Sequence, residues 1–280
     1  MQERIIVLCS ILDYNYLEEL SRQGRDDMLG IERRQKIMGI LQQNKKAYVA
    51  QLAQEFGITE ETVRRDLEKL EKQNLLQRTY GGAVLLEKAN EDLSFEQRSI
   101  THVGEKRKIS EMAIQLIDDG DTVFMDSSST ALMLRPHLEH KKNITIITNS
   151  IRLLYDAALN TNLHIISTGG RLKENSFALI GPTALDTIDK FSVDLAIISS
   201  KAVNKQHGFM ESTEEEAMIK QHMLHRAKKR LLLADHHKFD KIAFTRIGYL
   251  DEIQCLITDK RPSEEWCRLL LEKDVQLINE

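Results

Sequence analysis

From Lys106 to the C-terminus, short runs of apolar, largely β-branched residues alternate with segments of helical period. The strand-like runs are Thr122–Met125, Ile144–Thr148, Leu163–Ser167, Asp194–Ser199, Arg230–Ala234 and Ile253–Thr258. Between most of them lie the amphipathic stretches Lys108–Ile117, Thr130–Leu138, Ile151–Ala158, Thr183–Lys190 and Thr213–Ala227. Alternation of this kind specifies an α/β fold, a mainly parallel sheet with helices on both faces. In such sheets ligands bind outside the carboxyl ends of the strands. The run Lys228-Lys229-Arg230 reads as the cationic C-terminus of the last of these helices.

The first third of the chain has a different texture. Ile37, Ile40 and Leu41 give a helix over Ile31–Leu41, with Glu32, Arg33, Arg34 and Lys36 outside. Val49, Leu52, Ala53 and Phe56 give a second helix, stopped by Gly57. Thr59 caps a third, with Val63, Leu67 and Leu70 as its buried stripe. Gly81-Gly82 then turns a hairpin between Leu75–Tyr80 and Ala83–Leu86. Two short helices joined by a tight turn and followed by a hairpin predict a winged helix-turn-helix over residues 28–86. With the third helix's stripe turned inward, Thr62, Arg64, Arg65 and Lys69 are left on its outer face, and Arg78 stands before the hairpin turn.

Charge agrees with that placement. The chain of 280 residues has a formal net charge of −4, but residues 28–86 carry 10 Lys/Arg against 7 Asp/Glu and are its one basic block. The first 27 residues are acidic and admit two readings: a short N-terminal arm, or an over-called extension with translation starting at Met28. Residues 87–105 are polar and read as a linker with one short helix near Phe95, followed by an effector-sensing domain over residues 106–280. Three cysteines, Cys9, Cys255 and Cys267, form no disulfide framework, and no apolar run approaches the roughly 18 residues of a membrane span. A cytoplasmic protein with no membrane partner is expected.

The motifs Glu32-Arg33-Arg34-Gln35-Lys36-Ile37, Val49 to Thr59, Thr62-Val63-Arg64-Arg65-Asp66-Leu67 and Gly81-Gly82-Ala83 resemble the N-terminal domain of DeoR-type transcriptional regulators. The resemblance runs on through Thr258-Asp259. It implies a repressor that leaves operator DNA when a small metabolite, commonly a phosphorylated sugar, binds a sensor domain similar in fold to ribose-5-phosphate isomerase and CoA transferases. It implies DNA contacts by Thr59, Thr62, Arg64, Arg65, Lys69 and Arg78. Two half-sites require at least a dimer of the chain.

The expected effector loops all follow strands. Asp126-Ser127-Ser128-Ser129-Thr130 places hydroxyls and backbone N–H groups where a helix opens, a ready anion site, although the family's usual glycine is Ser128 here. Thr148-Asn149 follows the second strand and Gly169-Gly170 the third, where glycine admits close approach of backbone to a ligand. Lys201 follows the fourth, in a Ser199-Ser200-Lys201 stretch that departs from the family pattern. Lys238 follows the fifth, and the resemblance aims it at a phosphate. No metal and no cofactor are expected. His222 with His225, and His236 with His237, have no third ligand at fixed spacing. A sugar-phosphate isomerase with an appended winged helix is the alternative, and carboxylates such as Glu211 and Glu216 would have to supply its base.

Overall fold

A computed structural model describes residues 30–72, 75–85, 93–158 and 163–280. The acidic N-terminal stretch, Met28, Leu86 of the hairpin and the beginning of the polar segment lie outside the described residues. The chain divides into two compact units, with the boundary between Lys88 and Ala89.

The first unit is built from helix α1 (Gly30–Asn44), strand β1 (Lys46–Tyr48), helices α2 (Val49–Phe56) and α3 (Glu60–Lys72), and strands β2 (Leu76–Thr79) and β3 (Gly82–Leu85). Ile37, Met38, Leu41, Val49, Leu52, Ala53, Val63, Leu67, Leu70 and Leu76 make its core. Ile40 and Phe56, expected inside, are only half-buried. Gly57 ends α2 in the left-handed region at φ 65°, where a side chain would be strained. The hairpin strands pair antiparallel, and β1 adds to β3 on the other side. That third strand makes Gly82 obligatory, because a Cβ there would lie 2.1 Å from the Ala47 carbonyl oxygen.

Arg33 and Arg34 do not face solvent as their charge suggested. Arg33 Nε donates to Asp66 Oδ2 at 2.5 Å and Arg34 Nη1 to Asp66 Oδ1 at 3.2 Å. Asp66 is buried on the inner side of α3. The pair therefore fixes α3 against α1, and with it the direction of the outer face of α3. Truncating Asp66 removes the buried carboxylate that two largely buried guanidiniums share. Asp66→Ala should cost about 2–3 kcal/mol of the first unit's stability. In the full chain, amide exchange across Glu60–Lys72 should accelerate while that of the second unit's sheet stays unchanged; unaltered exchange in α3 would contradict the role given to this pair.

The second unit continues with helices α4 (Phe95–Ile100) and α5 (Val103–Ala113), strand β4 (Thr122–Met125), helices α6 (Ser129–Leu132) and α7 (Arg135–Leu138), strand β5 (Thr145–Thr148), helix α8 (Ile151–Ala158) and strands β6 (His164–Ser167), β7 (Arg171–Lys173) and β8 (Ala178–Ile180). Then follow helix α9 (Pro182–Asp189), strands β9 (Val193–Ser199), β10 (Ala202–Asn204) and β11 (Gly208–Glu211), helix α10 (Glu214–His225), strands β12 (Ala227–Leu233), β13 (Thr245–Gly248) and β14 (Cys255–Ile257), helix α11 (Glu264–Glu272) and strand β15 (Gln276–Ile278). Seven strands form one parallel sheet in the order β15-β14-β12-β9-β4-β5-β6. Side chains alternate across it as the period of two requires. Phe124, Ala196, Ile198, Leu232 and Leu256 enter one core with α9, α10 and α11. Val123, Met125, Ile197, Leu231, Leu233 and Ile257 enter the other with α5, α7 and α8.

Three expectations change. Residues 93–105 are not linker: a Ser94–Gln97 capping box starts α4. Phe95 meets Phe177 edge-to-face at 5.9 Å within the second unit. The helix expected over Thr130–Leu138 is two single turns, the second opening with Pro136, which has no N–H for a continuous helix. Lys228–Arg230 belongs to β12 rather than to a helix end, and Lys228 reaches Asp194 on the neighbouring strand at 2.8 Å.

Candidate functional site

On the first unit, Thr59 accepts the Thr62 N–H at 3.2 Å and caps α3, so the helix opens at the expected residue. Arg64, Arg65 and Lys69 are exposed along α3, with Thr62 half-exposed above them. Arg64 pairs with Glu60 at 2.7 Å and Arg65 with Glu61 at 3.3 Å, both one turn away. Arg78 pairs with Glu71 at 2.6 Å. Exposed pairs of this type contribute little to stability. Exchanging such a carboxylate for a phosphate or a guanine edge therefore costs little. Tyr80, fully exposed at the hairpin tip, joins the same unit's surface and had no signal in the sequence beyond its place before Gly81.

In the second unit the strands β4, β5 and β6 run outward one way from β4, and β9, β12, β14 and β15 run the other way. The topological switch lies between β4 and β9, where crevices form at the carboxyl edge. A cavity of about 180 Å³ opens there. Its wall includes Ser128, Ser129 and Thr130 after β4, Ser199, Ser200 and Lys201 at β9, and Asp235, His237 and Lys238 after β12. Arg98, Thr101, His102 and Lys106 close it from α4 and α5, and Glu211 and Lys220 lie at its base.

Asp126, Ser127, Thr148, Asn149, Gly169 and Gly170 are not in this wall. Thr148 Oγ1 donates to the Met125 carbonyl and Asn149 Nδ2 to the Leu179 carbonyl. Strands in a sheet are roughly 4.8 Å apart. The loop after β6, two strands from β4, is therefore about 10 Å from the switch. Gly170, at φ 112°, does allow close approach, but the partner is the protein itself: a Cβ would lie 2.6 Å from the Ile180 carbonyl oxygen. Asp126 is beneath the cavity. It accepts the Ser128 N–H at 3.1 Å, the Ser128 hydroxyl at 2.6 Å and the Ser199 N–H at 3.0 Å. Ser128 is thus committed to the fold, and its hydroxyl also caps α6 through the Ala131 N–H.

The lysines carry the cavity's character. Lys220 lies 3.3 Å from Asp126 Oδ2, donates to the Ser199 carbonyl at 2.8 Å and forms a close ion pair with Glu211. Burial opposes its charge, but Glu211, Asp126 and Glu216 outweigh it and hold the pKa above the ordinary lysine value. Lys238 Nζ reaches Ser199 Oγ at 2.9 Å, and burial, with the Lys220 charge, pushes its pKa down. Lys106 Nζ donates to the Arg98 and Thr101 carbonyls and to Ser129 Oγ at 3.1 Å. Burial first, then Lys238, pushes its pKa down to about 7. Ser200 Oγ, in the same wall, has no hydrogen-bond partner among the described residues. Lys106 and Lys220 went unnoticed as site residues because each sits in a helical pattern crowded with charges, where a lysine normally faces water.

The fold also brings together histidines that sequence spacing left apart. His102 stacks on His237 with ring centroids 3.9 Å apart, and His236 lies against His237 at 3.8 Å. Burial first, then His237, pushes the His102 pKa down to about 4.

Residues 33–89 match the DeoR-like helix-turn-helix domain, and residues 101–260 match the DeoR C terminal sensor domain. The chain belongs to the DeoR family of transcriptional regulators. It is 35% identical over 250 residues to the uncharacterized HTH-type transcriptional regulator YulB of Bacillus subtilis, covering 89% of this chain and 96% of that one. It is likewise 35% identical over 247 residues to the HTH-type transcriptional repressor GlcR of the same organism, covering 88% and 95%. A ribose-5-phosphate isomerase in complex with phospho-erythronic acid superposes on 49% of this chain and 54% of its own, at 16% identity and a TM-score of 0.37, too distantly to transfer a site. No helix among the described residues is long and apolar enough to cross a membrane.

Removing Lys220 would leave Asp126 and Glu211 facing each other in the interior without their cation. Lys220→Met should therefore destabilise the second unit by about 3–5 kcal/mol. Its denaturant midpoint should fall while the slope of the transition holds; a midpoint within error of the unmutated protein would show that the charges are solvated.

Proposed function

We propose that this regulator is a homo-oligomeric transcriptional repressor of a sugar-metabolism operon, active in the cytoplasm and released from its operator by a phosphorylated sugar bound at the β4–β9 switch. The observation that carries the reading is the cavity wall: Lys106, Lys201 and Lys238 face the same space as the Ser129, Thr130 and Ser200 hydroxyls. Cations suit a phosphate, and hydroxyls suit the sugar's own hydroxyl groups. Lysine side chains, rather than the N-terminus of α6, supply the attraction, because that helix is one turn long and Ser128 is engaged. The name repressor on GlcR and the family's helix-turn-helix domain support the regulatory half. Release follows by linkage: a sugar phosphate that prefers the DNA-free arrangement is itself bound less well by the operator complex, by the same factor.

The DNA half is tested on a duplex selected from a random pool with the unmutated protein. Arg64→Ala and Arg65→Ala should each weaken binding by about 1–3 kcal/mol and relax sequence preference, as loss of a base contact does. Arg78→Ala should weaken all duplexes alike and reduce the salt slope by about one. Three variants that bind like the parent would remove α3 and the hairpin from the interface.

The effector half is tested by calorimetry with phosphorylated sugars and their unphosphorylated parents. One phosphate ester should bind and its parent should not. Above pH 7 Lys106 is mostly neutral in the empty cavity, and a bound phosphate favours its ammonium form. Binding should therefore take up a proton, so affinity should fall as pH rises above about 7. Lys106→Met should abolish that uptake, and Lys238→Ala should weaken binding about tenfold or more. Equal affinity for ester and parent, or proton-neutral binding, would take the phosphate out of the mechanism.

A further inference from the structure

We infer that His102, Glu105 and His237 form a binding site for one divalent transition metal of the zinc class at the rim of the cavity. His102 precedes α5 and Glu105 lies in its first turn, so the two share one side of the helix start at i, i+3. His102 holds a left-handed backbone at φ 53°, a conformation a non-glycine residue adopts only against a cost, and its ring is stacked on His237. His237 comes from the turn after β12 and is fixed by its N–H donating to Asp235 at 3.1 Å. One ligand atom from each of the three lies within 4.8 Å of the others. Glu105 Oε1 is central, 3.8 Å from His102 Nδ1 and 3.6 Å from His237 Nε2.

These separations decide the class. A zinc ion bound at about 2.0–2.1 Å sets its tetrahedral ligands about 3.4 Å apart. The two distances through Glu105 are within a few tenths of an ångström of that edge, and closing the site requires the two imidazoles to turn toward the carboxylate. Two imidazole nitrogens and one carboxylate select a borderline metal over magnesium or calcium, which prefer oxygen shells. The ordinary alternative is a carboxylate resting between two polar rings. Metal binding differs from it in one respect: both rings must swing out of their present stack, 3.9 Å between centroids and 24° between planes, so that one nitrogen of each points at the ion. Around the three stand the charges of Lys106, Lys238 and Asp235, and His236, against the His237 ring, has its Nδ1 engaged by Asp259 at 2.7 Å. The three ligands leave one tetrahedral position open. His102 and His237 both line the cavity, so the open position faces the space assigned to the effector.

The site is tested with metal alone, so the result is independent of whether a sugar phosphate is the effector. The full chain, stripped by chelator and dialysed, is titrated with Zn²⁺ against a chromophoric competitor. One equivalent per chain should bind. His237→Ala and Glu105→Gln should each weaken binding at least about tenfold, since even loss of a group that only orients a metal ligand costs that much. His225→Ala, an exposed histidine on α10, should not. Cobalt in place of zinc should give the intense visible absorption of a tetrahedral site, absent from both ligand variants. Thermal melts of the metal-free variants matching the parent exclude misfolding as the cause. Failure to bind zinc, or binding that the two ligand substitutions leave unchanged, overturns the assignment.

Discussion

The carboxylate of Asp126 holds the centre of the sheet's carboxyl edge. It is buried at the end of β4, takes the Ser199 N–H from the end of β9, and lies against the Lys220 ammonium. Ser199 carries the connection onward: its carbonyl accepts from Lys220, and its hydroxyl donates to the Leu233 carbonyl at the end of β12. Three adjacent strands are thereby tied at their ends, at the point where the chain's crossovers diverge. Main-chain bonds within the ladders cannot do this, because a parallel ladder leaves its last donors unpaired. The loops that wall the cavity start from these tied ends, so their positions inherit the stiffness of the sheet.

The same network sets the cavity's charge. Lys220 is compensated by two carboxylates and stays charged. Lys238 and Lys106, one shell further out, are compensated less, and burial disfavours their charged forms. An interior that holds cations against a desolvation cost has a standing preference for an anion, because the anion returns the interaction that water supplied. The basic residues that look like a phosphate site are therefore not additive point charges. One is structural, and burial works against the charge of the other two.

Where a residue's surroundings follow from local period, the sequence was legible. The inward stripe of α3 implied the outward set Thr62, Arg64, Arg65 and Lys69, and those side chains are exposed or half-exposed. The strand–helix alternation likewise implied a parallel sheet with loops at its carboxyl edge. Strand order was not legible, and order decides which loops meet. Glycines after β6 and a Thr-Asn pair after β5 have the composition of ligand loops but lie on the wrong side of the switch. Contacts made across long separations were hidden for the same reason: Arg33 with Asp66, Lys106 with Ser129, His102 with His237. In each case a charged or polar residue on an apparently solvated helix face found its partner only once distant elements had packed.

The cavity also bears on whether the sensor unit is a disguised enzyme. Isomerising a sugar phosphate requires a base that can approach a carbon-bound proton and is free to accept it. Two carboxylates line the cavity. Glu211 is taken up by Lys220 and by the Ser212 N–H at 2.9 Å. Asp235 accepts the His237 N–H and lies 3.8 Å from Lys238, and although burial opposes it, Lys238, His102, Lys106 and His237 hold its pKa below the usual carboxylate value. A carboxylate stabilised in its ionised form by several cations is a weak base. Lys106 has its Nζ held by two main-chain carbonyls and Ser129 Oγ, so the nitrogen is turned to the protein and not to a substrate carbon. The cations of the cavity suit holding an anion, and its two carboxylates are occupied in holding those cations.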